Sequence, residues 1–407
     1  MDVVADNLAN VNTPGFKRQR GGFEDVFMGD AGSGSGAGSR IQEVGQVFTQ
    51  GSLQQTGNPT DLALEGEGFF AVAGSVNGVT ATFFSRSGAF HFDPAGALVD
   101  TNGLKVLGRP SLADGSLAAQ VKPLTVPTSA IPARKTSTLT FSVNLDASAP
   151  ALAQPFDAQQ PSETGTYGAS IQVFDSLGAP HSLDVYFNKL GDNSWEYRVL
   201  TKGDDLDPTQ AGVNVEVGSG TVAFNTDGAL QTLAPAQAMS LDFAGATAGQ
   251  NIALDLGTSI DDGGSGLTGA TQFGMASGVS AQSQDGYPSG DLSGVNVTAD
   301  GMVEAQYSNG RRLPVGQLQV ATFRAPNGLA RAGNNLWLDT KASGSAVLGG
   351  PGSGGRGNVS AGALEASNVD MGEEMVSMIQ HQRAFSANSK VIAAADDLLS
   401  QLMQIKR

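Results

Sequence analysis

Near the end of the chain apolar residues recur at every seventh position, Met371, Met378, Phe385, Ile392 and Leu399, and Met375, Ala395 and Leu402 fill companion positions three or four residues away. That spacing lays an apolar stripe along one helix. Asp370 followed by Glu373 has the form of an N-terminal capping box, Glu374 adds negative charge to the first turn, and Lys406 and Arg407 place positive charge in the last. The residues just before this helix are rich in Ala, Gly and Ser, so the stripe has no local partner. Its partner is either the N-terminal segment or another copy of the chain. At the N-terminus Val4, Leu8 and Val11 fall at helical spacing, the Asn side chains then compete for the backbone, and Pro14-Gly15 stops the helix. About two to three turns result, too short to be stable alone in water. Both end segments are therefore expected to order on assembly.

Between the ends the periodicity changes from helical to alternating. Gly68-Phe69-Phe70-Ala71-Val72 and residues 82–93 read as strands joined by tight turns at Asp93-Pro94-Ala95-Gly96 and Thr101-Asn102-Gly103. A second block starts near Ala147, where Ser170-Ile171-Gln172-Val173-Phe174, Ser182-Leu183-Asp184-Val185-Tyr186-Phe187 and Trp195-Glu196-Tyr197-Arg198-Val199-Leu200 predict a three-stranded antiparallel unit. The earlier style returns near Gly286-Tyr287, so the central block reads as an insertion into the other. Residues 29–39 have the composition of a flexible linker. The expected organisation is a terminal helical assembly region (1–22 and 363–407), a linker region (23–56), an inner β domain in two pieces (57–146 and 277–362) and an inserted outer β domain (147–276). The fold class is mainly β with terminal α-helices.

Composition narrows the function. Charged residues make up 15% of the chain, below the roughly 25% of ordinary soluble domains, and there are 55 glycines, which favours turn-rich β structure. A net charge of -16 argues against nucleic acid or an anionic membrane surface as partner. The absence of cysteine removes disulfides, thiolate catalysis and Cys-based metal sites. No apolar run approaches the roughly 18 to 20 residues that span a bilayer, and the N-terminus does not have the pattern of a cleavable signal.

No catalytic, cofactor or metal site is expected. Gly350, Gly352 and Gly355 meet a GxGxxG spacing, but no helical pattern follows them. His91, His181 and His381 are far apart and in no metal-ligand spacing. Asp204-Asp205-Leu206-Asp207 and Asp261-Asp262 read as solvated acidic turns, without the ligand alternation of a calcium loop. Tyr186, Trp195, Tyr197 and Trp337 are candidate sugar platforms in an adhesin, but large rings more commonly fill β cores.

Three separated motifs, in order, carry a resemblance. The N-terminal Asn7-Leu8-Ala9-Asn10-Val11-Asn12-Thr13-Pro14-Gly15-Phe16-Lys17, the run Asp61-Leu62-Ala63-Leu64-Glu65-Gly66-Glu67-Gly68-Phe69-Phe70, and Leu364-Glu365-Ala366-Ser367-Asn368-Val369-Asp370 leading into Gln382-Arg383-Ala384-Phe385 resemble the flagellar rod and hook family. Phe174-Asp175-Ser176-Leu177-Gly178, Asp285-Gly286-Tyr287 and Gly333-Asn334-Asn335-Leu336-Trp337 resemble its hook members, over essentially the whole chain. The resemblance implies paired terminal helices lining a tube, an inner β domain and an inserted outer one. It implies a homopolymer, a curved flexible hook outside the cell that carries motor torque to the filament. The implied partners are rod, hook-cap and hook–filament junction proteins, with unfolded export through the flagellar type III apparatus and no cleaved signal. Family members carry further helix before the position of Met1, and a start upstream is expected in preference to a truncated helix. The alternatives are a distal rod subunit, disfavoured by the inserted block, and a secreted β-sandwich adhesin, which leaves the terminal heptad unexplained.

Overall fold

The computed structural model describes residues 1–27, 36–112, 114–152, 154–234 and 238–405. They form two compact units, the first comprising Met1–Thr128, Ser293–Gln306 and Arg312–Arg407, the second Ser129–Leu292 with Tyr307–Arg311.

In the first unit Phe69–Val76 and Val79–Ser85 pair as an antiparallel hairpin. Asn77 and Gly78 close it, both at positive φ (50° and 82°), as a turn matched to the twist of its strands requires. Successive side chains leave a strand on opposite faces, so the doublets Phe69-Phe70 and Phe83-Phe84 feed two different cores. Phe70 and Phe83 join Leu62, Leu64, Val106 and Val320 on one side. On the other, Phe69 and Phe84 join Trp337 with Phe48 and Phe323 packed against them. The rings meet edge to face, Phe69 and Trp337 with centroids 5.6 Å apart. Each fully buried Phe contributes about 1.5–3 kcal/mol, so this sheet is stabilised from both faces.

The second unit encloses one core between two sheets. Tyr167–Phe174, Pro180–Gly191, Ser194–Lys202, Asn214–Phe224 and Leu230–Leu233 form an antiparallel sheet in chain order. Facing it, Thr138–Asp146 pairs with Gln250–Asp255, Thr271–Phe273 and Gly278–Gln284. Alternation along Thr138–Asp146 turns Leu139, Phe141, Val143 and Leu145 inward, against Val185, Phe187, Trp195 and Val199. Trp195 is fully buried and its Nε1 donates to Gln272 Oε1 at 2.8 Å, so its polar end is satisfied inside the core.

Several expectations need correction. The second compact unit, Ser129–Leu292 with Tyr307–Arg311, is wider than the inserted block expected at 147–276. The strand Thr138–Asp146, assigned by sequence to the inner domain, hydrogen-bonds within the inserted unit and fills its core. The three-stranded unit read from 170–200 is part of a five-stranded sheet. The region 23–56 is not uniformly linker. β1 (Gln19–Phe27) and β2 (Gly36–Gln46) pair as an antiparallel two-stranded ribbon. Of the glycine-rich stretch 29–39, residues 29–35 lie outside the described residues and 36–39 belong to β2. Trp195, Tyr197 and Trp337 are buried in β cores, the reading preferred over sugar platforms, and Tyr186 packs against Phe156.

Candidate assembly site

The chain's two ends meet at the root of the long helix. α1 (Asp2–Ala9) packs beside the first turns of α2 (Met371–Ile405). Val4 is buried, while Leu8 and Val11 are half-buried. Asn7, 1% exposed, joins three segments: its Nδ2 donates to Gln19 O at 2.9 Å and to Glu374 Oε1 at 3.1 Å, and its Oδ1 accepts from Gln19 N at 2.8 Å. Asn10 Nδ2 donates back to Asp6 O at 2.9 Å, and its Oδ1 accepts from the Thr13 hydroxyl at 3.1 Å, which winds the chain out of α1. The Asn residues are thus structural parts of the turn. Asn12 is exposed.

Gly15 follows at φ +70°, where a Cβ would fall 2.4 Å from Ser87 N. Only glycine fits this approach, and it lets Gly15 N donate to Glu365 O at 2.7 Å. Pro14 is half-buried and Phe16 is buried beside it.

Next comes an ionic cluster out of solvent. Lys17 Nζ lies 2.6 Å from Glu365 Oε1 and donates to Thr49 O at 2.8 Å. Arg86 reaches Glu365 Oε2 at 3.3 Å and Gly66 O at 2.7 Å. Burial pushes the Lys17 ammonium below its ordinary 10.5, and Glu365 only partly offsets this. Arg86 is lowered for the same reason. Asn368 completes the clasp: its Oδ1 accepts from Arg18 N at 2.7 Å, and its Nδ2 donates to Val47 O at 2.7 Å and Thr49 O at 3.0 Å.

The start of α2 departs in one respect from the capping box. Asp370 Oδ1 accepts from Glu373 N at 3.0 Å, as expected. Glu373 does not reciprocate. Its carboxylate meets Arg18 at 2.9 Å, and Arg18 Nε also pairs with Glu374 at 2.7 Å. In the single chain α1 and the start of α2 are helical and joined through Asn7 and Arg18, while Asn368 ties Arg18 to Val47 and Thr49.

Beyond this root the heptad stripe is uncovered. Met371, Met375, Phe385, Ile392 and Leu399 are 48%, 50%, 65%, 67% and 60% exposed, and Met378 is half-buried. Arg383 is exposed. Leu402 lies on α2 with its side chain outside the described residues, as are Lys406 and Arg407. His381 lines a groove with Met1, Val4, Phe23, Ile41 and Phe385.

Sequence reasoning listed the exposed stripe and the Asn residues but missed Lys17, Arg86, Glu365, Arg18 and Gln19. The signal available was charge inside otherwise apolar motifs, at Lys17 after Phe16 and Glu365 after Leu364. In the second unit His181 was also missed as a paired group: it sits between Asp205 (3.0 Å) and Asp175 (3.3 Å) and stacks on Phe243. Asp205 is accordingly part of a contact and not a freely solvated turn. Among the described residues no cluster of His, Cys, Asp or Glu is arranged to hold a metal ion, and no helix is long and apolar enough to cross a membrane.

Four family models match successive parts of the chain. They are the flagella basal body rod protein (residues 1–17), the flagellar hook protein FlgE/F/G D1 domain (63–146), the flagellar basal body protein FlaE D2 domain (144–287) and the flagellar basal body rod FlgEFG protein C-terminal region (360–405). The flagellar hook protein FlgE of Salmonella typhimurium is 35% identical over 413 residues, covering 100% of this chain and 96% of the relative. FlgE of Escherichia coli is 34% identical over 410 residues, and that of Treponema pallidum 34% over 451, each with the whole of this chain covered. The crystal structure of Helicobacter pylori hook protein FlgE2 covers 77% of this chain and 100% of its own at 15% identity and a TM-score of 0.55, a likeness of fold. With relatives of this identity aligned along its entire length, and with its end motifs built into one clasp beneath an uncovered helix, the chain belongs to the flagellar hook protein family.

Proposed function

We propose that the chain is the structural subunit of a bacterial flagellar hook, polymerising into a curved, flexible tube that transmits motor torque to the filament. The observation that carries this reading is the contrast along α2. Its root is fixed by buried polar contacts, whereas its apolar side chains beyond are left to solvent. A helix bearing so many exposed large apolar groups is stable in water when other surfaces cover it. In this reading α1 and α2 form the inner wall of the tube. Rod, cap and junction proteins meet the ends of the tube, and the chain leaves the cell unfolded through the flagellar export apparatus. The role is mechanical, and no catalytic step is assigned to any residue.

Negative-stain electron microscopy of the full chain in assembly-promoting salt, beside a variant ending at Val369, tests this. Tubes from the full chain alone support the reading. Tubes from the shortened variant, or from neither, contradict the role given to α2.

A further inference from the structure

We propose that Asn77 is a site of spontaneous covalent modification, losing its side-chain amide to attack by the backbone nitrogen of Gly78. Four Asn-Gly pairs occur in the chain, at Asn77, Asn102, Asn309 and Asn327. In such a pair the second residue has no Cβ to obstruct the approach of its own nitrogen to the Asn side-chain carbonyl carbon. Local sequence therefore makes all four reactive, and the fold separates one from the other three.

The attacking group is the backbone N–H of the glycine and the group attacked is the Asn side chain, so a hydrogen bond on either must open first. Gly103 N donates to Asp100 O at 3.0 Å, and Asn102 Nδ2 donates to Asp100 Oδ2 at 3.1 Å. Gly310 N donates to Tyr307 O at 2.9 Å. Asn309 is held at both ends, its Nδ2 donating to Pro288 O at 2.8 Å and its Oδ1 accepting from Arg311 N at 3.0 Å. Gly328 N donates to Ala325 O at 3.0 Å, and its carbonyl accepts from the Thr340 hydroxyl at 2.6 Å. Asn77 and Gly78 are instead the two turn residues outside the ladder that ends at the Val76–Val79 pair. Both are exposed, and a Cβ on Gly78 would meet nothing within 4 Å. Among the described residues the Gly78 N–H has no backbone acceptor.

The reaction needs only water. Gly78 N gives its proton to solvent base, bonds to Asn77 Cγ and expels ammonia, which leaves a five-membered imide. Water then adds to one of the two imide carbonyl carbons and breaks the bond from that carbon to Gly78 N. Breakage at the side-chain carbon gives aspartate with the original backbone. Breakage at the main-chain carbon gives isoaspartate, in which the backbone runs through the side chain and is longer by one methylene. Either product places a negative charge on the hairpin tip. The longer backbone no longer fits a two-residue turn set by positive φ at both positions, so the isoaspartate form loosens the closing Val76–Val79 pair.

Peptide-mapping mass spectrometry tests this on the full chain held in mildly alkaline buffer at physiological temperature, beside the same chain in guanidinium chloride, with isoaspartyl methyltransferase labelling to mark the isoaspartate product. In the folded chain Asn77 should convert roughly 3- to 10-fold faster than Asn102, Asn309 or Asn327, the factor set by one ordinary hydrogen bond that must open before attack. In guanidinium chloride, where those bonds are lost, the four rates should draw level. Gly78→Ala should slow conversion at Asn77 in both states and leave the other three unchanged. Equal or faster conversion at any of the other three in the folded chain would overturn the assignment, as would a folded chain in which Asn77 stays intact while the unfolded chain converts. A preference for Asn77 that persists in guanidinium chloride would overturn the role given to the fold, and an unslowed Asn77 in Gly78→Ala would remove Gly78 N as the attacking group.

Discussion

Lys17 Nζ stands 2.6 Å from Glu365 Oε1 across 348 residues of chain, with neither side chain reached by solvent. Arg86 on the second oxygen places the Glu365 carboxylate between two buried cations. Beside it, Gly15 N donates to Glu365 O, so one residue fixes the N-terminal segment through both backbone and side chain.

Removing that carboxylate leaves two cations uncompensated. Glu365→Gln is expected to destabilise the first unit by about 3–5 kcal/mol. Lys17→Met, which leaves Glu365 paired with Arg86, should cost less. Urea unfolding with unchanged m-values reads both; a loss below about 1 kcal/mol in Glu365→Gln, the size of an ordinary substitution, would remove the cluster from its structural role.

Gly15→Ala places a methyl group against Ser87 at a positive φ. The strain and the displaced Gly15–Glu365 hydrogen bond together should cost on the order of 1–3 kcal/mol or more. The loss should be accompanied by faster amide exchange at Phe16 and Lys17. Unchanged exchange there would show that the turn relaxes without loosening the clasp.

Asn7→Ala removes the Asn7 side chain from both the N–H and the C=O of Gln19 and leaves Glu374 with Arg18 alone. An expected cost of about 1–3 kcal/mol falls on the seat of α1. Hydrogen exchange should rise along Asp2–Ala9 while the strands Phe69–Val76 and Val79–Ser85 keep their protection.

Asp285 gives the second unit an acid-sensitive contact. Burial raises its carboxyl, but hydrogen bonds from the Ser137 hydroxyl (2.6 Å), Ser137 N (2.7 Å) and Thr138 N (3.0 Å), with Arg134 beside it, outweigh burial and hold it below the ordinary 3.8. A carboxyl depressed on folding adds stability above its ordinary value and loses it as pH falls from 3.8 through the folded value. Thermal midpoints of wild type and Asp285→Asn should therefore differ at neutral pH and converge in acid below 3.8. A gap independent of pH would assign the effect to shape and not charge.

Most of the fold was legible because its strands and end helices have clear periods. Alternation marked Ser194–Lys202 and its neighbours, the heptad marked α2, and Asn77-Gly78 fits the hairpin it closes. The reach of the inserted unit was not legible, since Thr138–Asp146 alternates equally well for either core and its membership is decided by partners more than a hundred residues away. The ribbon of β1 and β2 was hidden by glycines that read as linker. At the candidate site, the stripe was visible as a pattern, whereas the Lys17, Arg86 and Glu365 cluster was not. Charges are ordinarily solvated, and only the fold brings these three together away from water.

The most direct measurement is a cryo-electron microscopy reconstruction of whatever the full chain assembles into. A tube whose innermost wall is α2, in contact with neighbouring copies, is the expected result. A tube held together by the β units with α2 at the outer surface, or a chain that stays monomeric with its helix bare, would contradict the role assigned to the uncovered helix.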